Sequence, residues 1–151
     1  MNAATANPST ILVLANETAD AETLFEVIER SARDDANVLV VAPALNSRLR
    51  HWPSDEDDAR AQAKLRLQSA VEHLHAAGVD ATGMIGDADP LQALRDALAW
   101  FPADLLIVAT HPAGRSNWLA TKLVERASNW FTGPILHVTV ESPVPALAVA
   151  A

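Results

Sequence analysis

The feature that most constrains the fold of this sequence is a repeated alternation between short apolar runs and longer segments with helical spacing. Three runs are continuously apolar over five residues: Ile11–Ala15, Val38–Ala42 and Leu105–Ala109. Runs of this kind are typical of strands that are buried on both faces of a sheet. Two further runs, 81–85 and 135–140, complete a set of five. Five strands that alternate with helices predict an α/β, Rossmann-like domain, in which an open, parallel, five-stranded sheet forms the middle of three layers.

The segments between the strands carry the capping residues and the apolar faces of helices. Asp20 can cap the first helix, Asp89 followed by Pro90 can start the third, and Gly78 can end the second. The expected apolar faces are Leu24, Phe25, Ile28 and Ala32; Ala63, Leu67, Ala70, Val71 and Leu74; Leu91, Leu94, Leu98 and Phe101; and Leu119, Leu123, Ala127 and Trp130. The crossovers are expected to be right-handed. This pattern alone leaves two strand orders open, 2-1-3-4-5 and 3-2-1-4-5.

The length of 151 residues suits one domain, and half of the residues are apolar, which is enough for a full core. We assign residues 11–140 to the domain. Residues 1–10 are expected to form a disordered N-terminal segment, and residues 141–151 a flexible tail rich in proline and alanine. No internal repeat is apparent.

Charge and composition exclude several classes of function. A net charge of −8 disfavours binding to nucleic acids and to anionic membranes, since both need a basic face. No stretch approaches the ~20 apolar residues of a membrane span. The absence of cysteine excludes disulfides, thiolate metal sites and a cysteine nucleophile. With no signal-peptide pattern at the start, a cytoplasmic location is expected.

The loop after the fourth apolar run carries most of the candidate chemistry. It reads Thr110-His111-Pro112-Ala113-Gly114-Arg115-Ser116-Asn117-Trp118. In open α/β folds, loops at the carboxyl ends of strands form the ligand crevice. Gly114 serves a turn and can also bring the backbone close to a ligand. Arg115 can hold a phosphate or carboxylate through two hydrogen bonds, or lie exposed on the surface. Ser116 is expected to cap the fourth helix, where it can also contact an anion.

Two further residues of this loop have alternative interpretations. His111 is a candidate general base, because imidazole titrates near neutral pH. However, neither a serine nucleophile nor a carboxylate that would orient His111 can be identified, so no catalytic residue is assigned. Trp118 is expected to pack against the protein more than to stack on a ligand. His73 and His75 are two residues apart on a helix and do not share a face, so no metal site is predicted.

The long connection after the second strand offers a second set of candidate residues. It contains Arg48, Arg50, His51 and Trp52 within ten residues. Because the chain is strongly acidic, this cluster of cations favours an anion-binding role. The alternative is a surface loop with ordinary basic residues. In the strand order 3-2-1-4-5 this loop would fold over the crevice.

Three places in the sequence resemble the universal stress protein family. Residues 11–18, Ile-Leu-Val-Leu-Ala-Asn-Glu-Thr, resemble the opening strand of that family and its exit. Residues 86–90 together with 103–108 resemble its Gly-x-Pro segment and its Ala-Asp-Leu-Ile-Val-Met strand, and residues 114–116 match its Gly-Arg-Ser. The resemblance spans about residues 11 to 140. It implies strand order 3-2-1-4-5, a crevice between strands one and four, and a homodimer that pairs through the strand Ile135–Val140.

Some members of that family bind ATP through a glycine pattern after the fourth strand. In this sequence Thr110 stands at the first glycine, and three residues instead of two separate it from Gly114. No Gly-Ser pair follows Trp118, and Thr121 offers the only hydroxyl there. Asn16 matches the aspartate that follows the first strand in the family. The resemblance implies ATP or AMP as the ligand. The loop that would hold it differs from the family pattern at the positions just described.

The sequence thus predicts a cytosolic, universal-stress-like protein that binds an anionic ligand, first of all a nucleotide, without strong catalysis. One alternative is a dimeric interaction module without a nucleotide site, with Trp52 and Trp118 facing a partner. The other is a phosphoanhydride hydrolase that uses His111 as base. The candidate ligand-binding residues are Asn16, Glu17, Thr18, Arg48, Arg50, Thr110, His111, Gly114, Arg115, Ser116, Asn117 and Trp118.

Overall fold

A computed structural model of the chain describes residues 9–15, 22–32, 35–43, 53–87, 89–110, 122–129 and 131–140, and of residues 53–59 the backbone alone. In chain order its elements are β1 (Thr10–Leu14), α1 (Glu22–Ser31), β2 (Asn37–Pro43), α2 (Pro53–Ala76), β3 (Asp80–Gly86), α3 (Pro90–Trp100), β4 (Leu105–Thr110) and β5 (Ile135–Thr139). Residues 122–127 are also helical. Among the described helices, none is both long and apolar enough to cross a membrane.

The five strands form one parallel sheet in the order β3-β2-β1-β4-β5. This confirms the predicted fold class, and of the two orders that the pattern left open it is the one implied by the resemblance. β1 lies at the centre, where Leu14 is in register with Val41 on one side and Val108 on the other. Such a position leaves no solvent-facing side chain, which is why β1 reads as a continuous apolar run.

Helices cover both faces of the sheet. An apolar core lies between the sheet and the helices on each face. On one face, α1 and α2 bury Leu24, Phe25, Ile28, Ala63, Leu67, Ala70 and Leu74 against the sheet. On the other face, α3 and the helical residues 122–127 bury Ala93, Leu94, Ala97 and Ala127. The apolar faces predicted for α1 and α2 therefore point at the sheet. The face of α3 is shifted from the predicted one: Leu94 is buried, Leu98 and Phe101 are partly buried, and Ala93 and Ala97 take the place expected for Leu91. The alternation of strand side chains supplies the two cores.

The sheet begins one residue earlier than predicted, because polar contacts hold the first residue of β1. The Thr10 hydroxyl donates to the carbonyl oxygen of Pro102 at 2.9 Å and accepts from the backbone N–H of Asp104 at 3.1 Å. Ser9 donates to the Asp104 carboxylate from both its backbone N–H and its hydroxyl. Thr10 thus belongs to the domain and not to the predicted N-terminal segment. Residues 1–8 and the predicted tail 141–151 lie outside the described residues.

His73 and His75 point to different neighbours, as their spacing on α2 predicts. The His73 ring stacks on Phe25 of α1, with centroids 4.0 Å apart, and its Nε2 lies 3.8 Å from a Glu29 oxygen. His75 Nε2 lies 2.9 Å from the carbonyl oxygen of Ala81 in β3. One histidine therefore joins α2 to α1 and the other joins α2 to the sheet. Within the described part of the chain, no three potential metal ligands come together.

Candidate functional site

The candidate site lies at the carboxyl ends of β1 and β4, which are neighbours in the middle of the sheet. The two strands pair in parallel, with Ile11 opposite Leu105 and Leu14 opposite Val108. The helix that follows β1 packs on one face of the sheet, whereas the helical residues 122–127 that follow β4 pack on the other. Where connections leave adjacent strands toward opposite faces, a crevice opens between the strand ends. The switch point of this sheet is therefore between β1 and β4.

Of the predicted ligand-binding residues, the structure describes Thr110. It is the last residue of β4 and is half-buried at the carboxyl edge of the sheet. The others lie outside the described residues, and they are Asn16, Glu17, Thr18, Arg48, Arg50, His111, Gly114, Arg115, Ser116, Asn117 and Trp118. In sequence, Asn16 directly follows Ala15, the last described residue after β1, and His111 directly follows Thr110.

Thr110 makes a side-chain contact with the neighbouring strand. Its hydroxyl lies 2.7 Å from Nε2 of His137 in β5. The parallel register explains the contact, since Thr110 pairs with Thr139 and Val108 pairs with His137, which places the two side chains diagonally on one face. The backbone continues this pairing through a 2.7 Å hydrogen bond from the N–H of Val140 to the carbonyl oxygen of Thr110. Both side chains are thus fixed relative to the end of β4.

The contact leaves capacity for a ligand. A threonine hydroxyl has one donor and two acceptor positions, and one bond to an imidazole nitrogen uses a single position. His137 is exposed, and its second ring nitrogen also carries either a donor or an acceptor, depending on the tautomer. The pair therefore presents hydrogen-bonding groups next to the switch point, on the face that is covered by α3 and by residues 122–127.

His137 is a residue that the sequence placed within a strand but not near a site. His137 lies in β5, and strand alternation places it on the same face as Ile135 and Thr139. The missing information is the register between β4 and β5, because it depends on the length of the connection between the two strands. Thr110 and His137 are 27 residues apart, and no local pattern joins them.

The amino end of α3 is held by its own carboxylates. The Asp89 side chain accepts a 3.0 Å hydrogen bond from the N–H of Leu91, and Asp87 accepts one of 2.8 Å from the N–H of Asp89. This confirms the predicted role of Asp89 at the start of the helix, and Asp87 holds the turn before it. Because Asp89 occupies the helix start and β3 lies three strands from β4, roughly 14 Å away, this end is not part of the crevice.

The backbone of β3 packs closely against α3 at Gly86, near the end of the strand. A Cβ added to Gly86 would lie 2.7 Å from Cβ of Ala93 and 3.1 Å from Cγ1 of Val41. No side chain fits in that space without movement of α3 or of β2. Gly86 is one of the residues that carry the family resemblance, and here its role is packing.

The sequence matches no protein-family model and none of the curated proteins. The structure is similar to solved structures of other proteins. One is a universal stress family protein from Burkholderia pseudomallei, with a TM-score of 0.59 and 18% identity over 87% of this chain and 96% of the other. A universal stress protein from Archaeoglobus fulgidus has a TM-score of 0.60 and 16% identity over 86% and 93% of the two chains. A family protein from Arabidopsis thaliana with AMP bound has a TM-score of 0.56 and 18% identity over 90% and 94%.

Proposed function

Because this chain has the fold of the universal stress proteins, we propose that it binds a small anionic ligand, first of all AMP or ATP, at the carboxyl ends of β1 and β4. The observation that carries the proposal is the switch point between these two strands, which is where open α/β sheets hold ligands. The AMP bound to the Arabidopsis protein of the same fold supports a nucleotide as the first choice.

The chain offers the groups that such a ligand needs. Thr110 and its hydrogen-bonded partner His137 supply donors and acceptors at the end of β4. In the proposal, Arg115 binds a phosphate through two hydrogen bonds, while Gly114 and Ser116 bring backbone and hydroxyl donors to it. Arg48 and Arg50 add positive charge from the second connection. These groups bind and orient a ligand, and no catalytic step is assigned to them.

A ligand panel tests the proposal directly. Thermal unfolding is followed with AMP, ATP, cyclic nucleotides and inorganic phosphate, and calorimetry then measures affinities. A ligand that binds the folded state alone stabilises it by ~2.7 kcal/mol at one hundred times its Kd. We expect AMP or ATP to raise the melting temperature in a concentration-dependent way. Folded protein that shows no shift with any compound of the panel would overturn the proposal.

Two substitutions locate the site. We expect Arg115→Ala to weaken nucleotide binding by about tenfold, since a hydrogen-bonded charge contact is removed. Thr110→Val keeps the shape of the side chain and removes its hydroxyl, so a smaller loss of affinity is expected. Arg95→Ala changes an exposed arginine on α3 and serves as the matched control, with unchanged affinity. Equal affinities in all three variants would place the ligand elsewhere.

A further inference from the structure

A second pocket lies at the opposite edge of the sheet from the crevice. It is open to solvent, has a volume of about 130 Å³, and lies where the amino ends of β2 and β3 meet the carboxyl end of α3. Pockets for whole cofactors or drug-sized molecules are typically ≈ 300–1,000 Å³. This pocket is therefore too small for a nucleotide and suits a single small polar or charged group.

Polar side chains of two paired strands form the floor of this pocket. Asn37 of β2 is in register with Asp80 of β3, and Leu39 is in register with Thr82. Alternation places all four on one face of the sheet, and Leu39 identifies it as the face covered by α3. The floor thus offers an amide, a hydroxyl and a carboxylate around an apolar centre.

The wall of the pocket is aromatic. Trp100, the last residue of α3, lines the pocket together with Phe101. The surface of Trp100 is 59% exposed. The two rings meet edge to face, with centroids 6.0 Å apart and an interplanar angle of 73°. An exposed indole that lines the same pocket as a carboxylate favours a cation, because the face of the ring carries negative electrostatic potential.

The electrostatics of this edge also favour a cation. Among the described residues, none makes a hydrogen bond or an ion pair with the Asp80 carboxylate. The carboxyl end of α3 points its negative dipole end at the pocket, and its last turn contains no basic residue. The net charge of −8 adds a long-range attraction for cations.

We propose that this pocket binds a guanidinium group. A guanidinium is planar, so it can stack on the Trp100 indole while its edge donates to the Asp80 carboxylate and to the Asn37 side-chain oxygen. A quaternary ammonium has no N–H group to donate to these acceptors. A primary ammonium is tetrahedral and has no planar face that could stack on the indole. The proposed site is about as far from the crevice as the strands are long, and it does not depend on nucleotide binding.

The test uses methylguanidinium and its neutral isostere, methylurea. The signal of the Trp100 indole N–H is assigned in a nitrogen–proton spectrum by its loss in Trp100→Phe. We expect methylguanidinium to shift this signal and the backbone signals of Asp80 and Thr82 with saturation, and methylurea to leave them unchanged. Absence of saturation, or an equal response to methylurea, would overturn the proposal.

Two aspartate variants distinguish binding at this pocket from a general attraction of cations to the acidic protein. Asp80→Asn removes the carboxylate at the pocket, and we expect about tenfold weaker binding of methylguanidinium. Asp96→Asn removes the same charge from an exposed position on α3, and we expect unchanged binding. Equal weakening in both variants would show a nonspecific attraction and would overturn the assignment to this pocket.

The same spectra distinguish two sources of the guanidinium. Agmatine represents a free guanidino compound, and N-acetyl-arginine methylamide represents an arginine presented by a protein. Saturable shifts with both support a pocket that recognises the group itself. Saturation with agmatine alone supports a site for a free small molecule. If neither agmatine nor N-acetyl-arginine methylamide binds, the proposal is overturned, even if methylguanidinium at high concentration shifts the signals.

Discussion

A single carboxylate, that of Asp104, ties together the amino ends of β1 and β4. Burial alone would raise the pKa of Asp104, but the hydrogen bonds from Ser9 and Thr10 outweigh it and hold the pKa below its ordinary value. The two strands that form the switch point are thus clamped at the end opposite the proposed ligand. The sequence resemblance includes Asp104 without indicating this role.

The lowered pKa of Asp104 gives a testable dependence of stability on pH. A carboxyl group whose pKa is lowered in the folded state stabilises it above the ordinary pKa, and this contribution is lost as the pH falls through the lowered value. We expect Asp104→Asn to reduce the free energy of unfolding by less than about 1 kcal/mol at pH 7, because the group is largely exposed. In urea titrations this difference should shrink toward pH 3. A pH-independent effect of Asp104→Asn would contradict the prediction.

At the scale of elements, the packing of β3 against α3 depends on one missing side chain. An added methyl group at Gly86 would lie too close to Ala93 and Val41. We expect Gly86→Ala to lower the free energy of unfolding by about 1–3 kcal/mol, which is typical of an overpacked site. Gly78→Ala is the comparison, because it has φ +89° but open space around it, so its cost is conformational.

A double-mutant cycle distinguishes a steric clash at Gly86 from a general effect of the substitution. Ala93→Gly removes the group that the new methyl would meet. Measured by urea unfolding, Gly86→Ala should therefore cost less in the Ala93→Gly background than in the wild type. Equal costs in both backgrounds would show that the two residues do not interact.

Local patterns predicted the elements, whereas register and loop geometry needed the structure. Asp89, Pro90 and Gly78 act through neighbours within a few residues, so their capping roles follow from the sequence. The contact between Thr110 and His137 depends on how two strands align across 27 residues, and no local rule supplies that alignment. The same holds for the proposed guanidinium site, since Asp80 and Trp100 come to line one pocket only through the register of β2 with β3 and the length of α3.

In the molecule as a whole, the order of the strands is a further property that the sequence pattern alone left open. A continuous apolar run shows that a strand is buried on both faces but not which strands are its neighbours. The resemblance to universal stress proteins supplied the order, and the sheet has it. The fold is thus shared with proteins that are only 16–18% identical in sequence.

The edge of this sheet formed by β5 gives the last prediction. We propose that two copies of the chain pair through β5, because an edge strand presents unpaired backbone groups and Leu136 on this strand is 40% exposed. Light scattering should then give twice the mass of one chain. Leu136→Lys places a charge at the edge and should give the mass of one chain, whereas Leu65→Lys, at a leucine of α2 that is 65% exposed, should leave the dimer intact. A wild-type protein with the mass of one chain, or dissociation by both substitutions alike, would contradict pairing through β5.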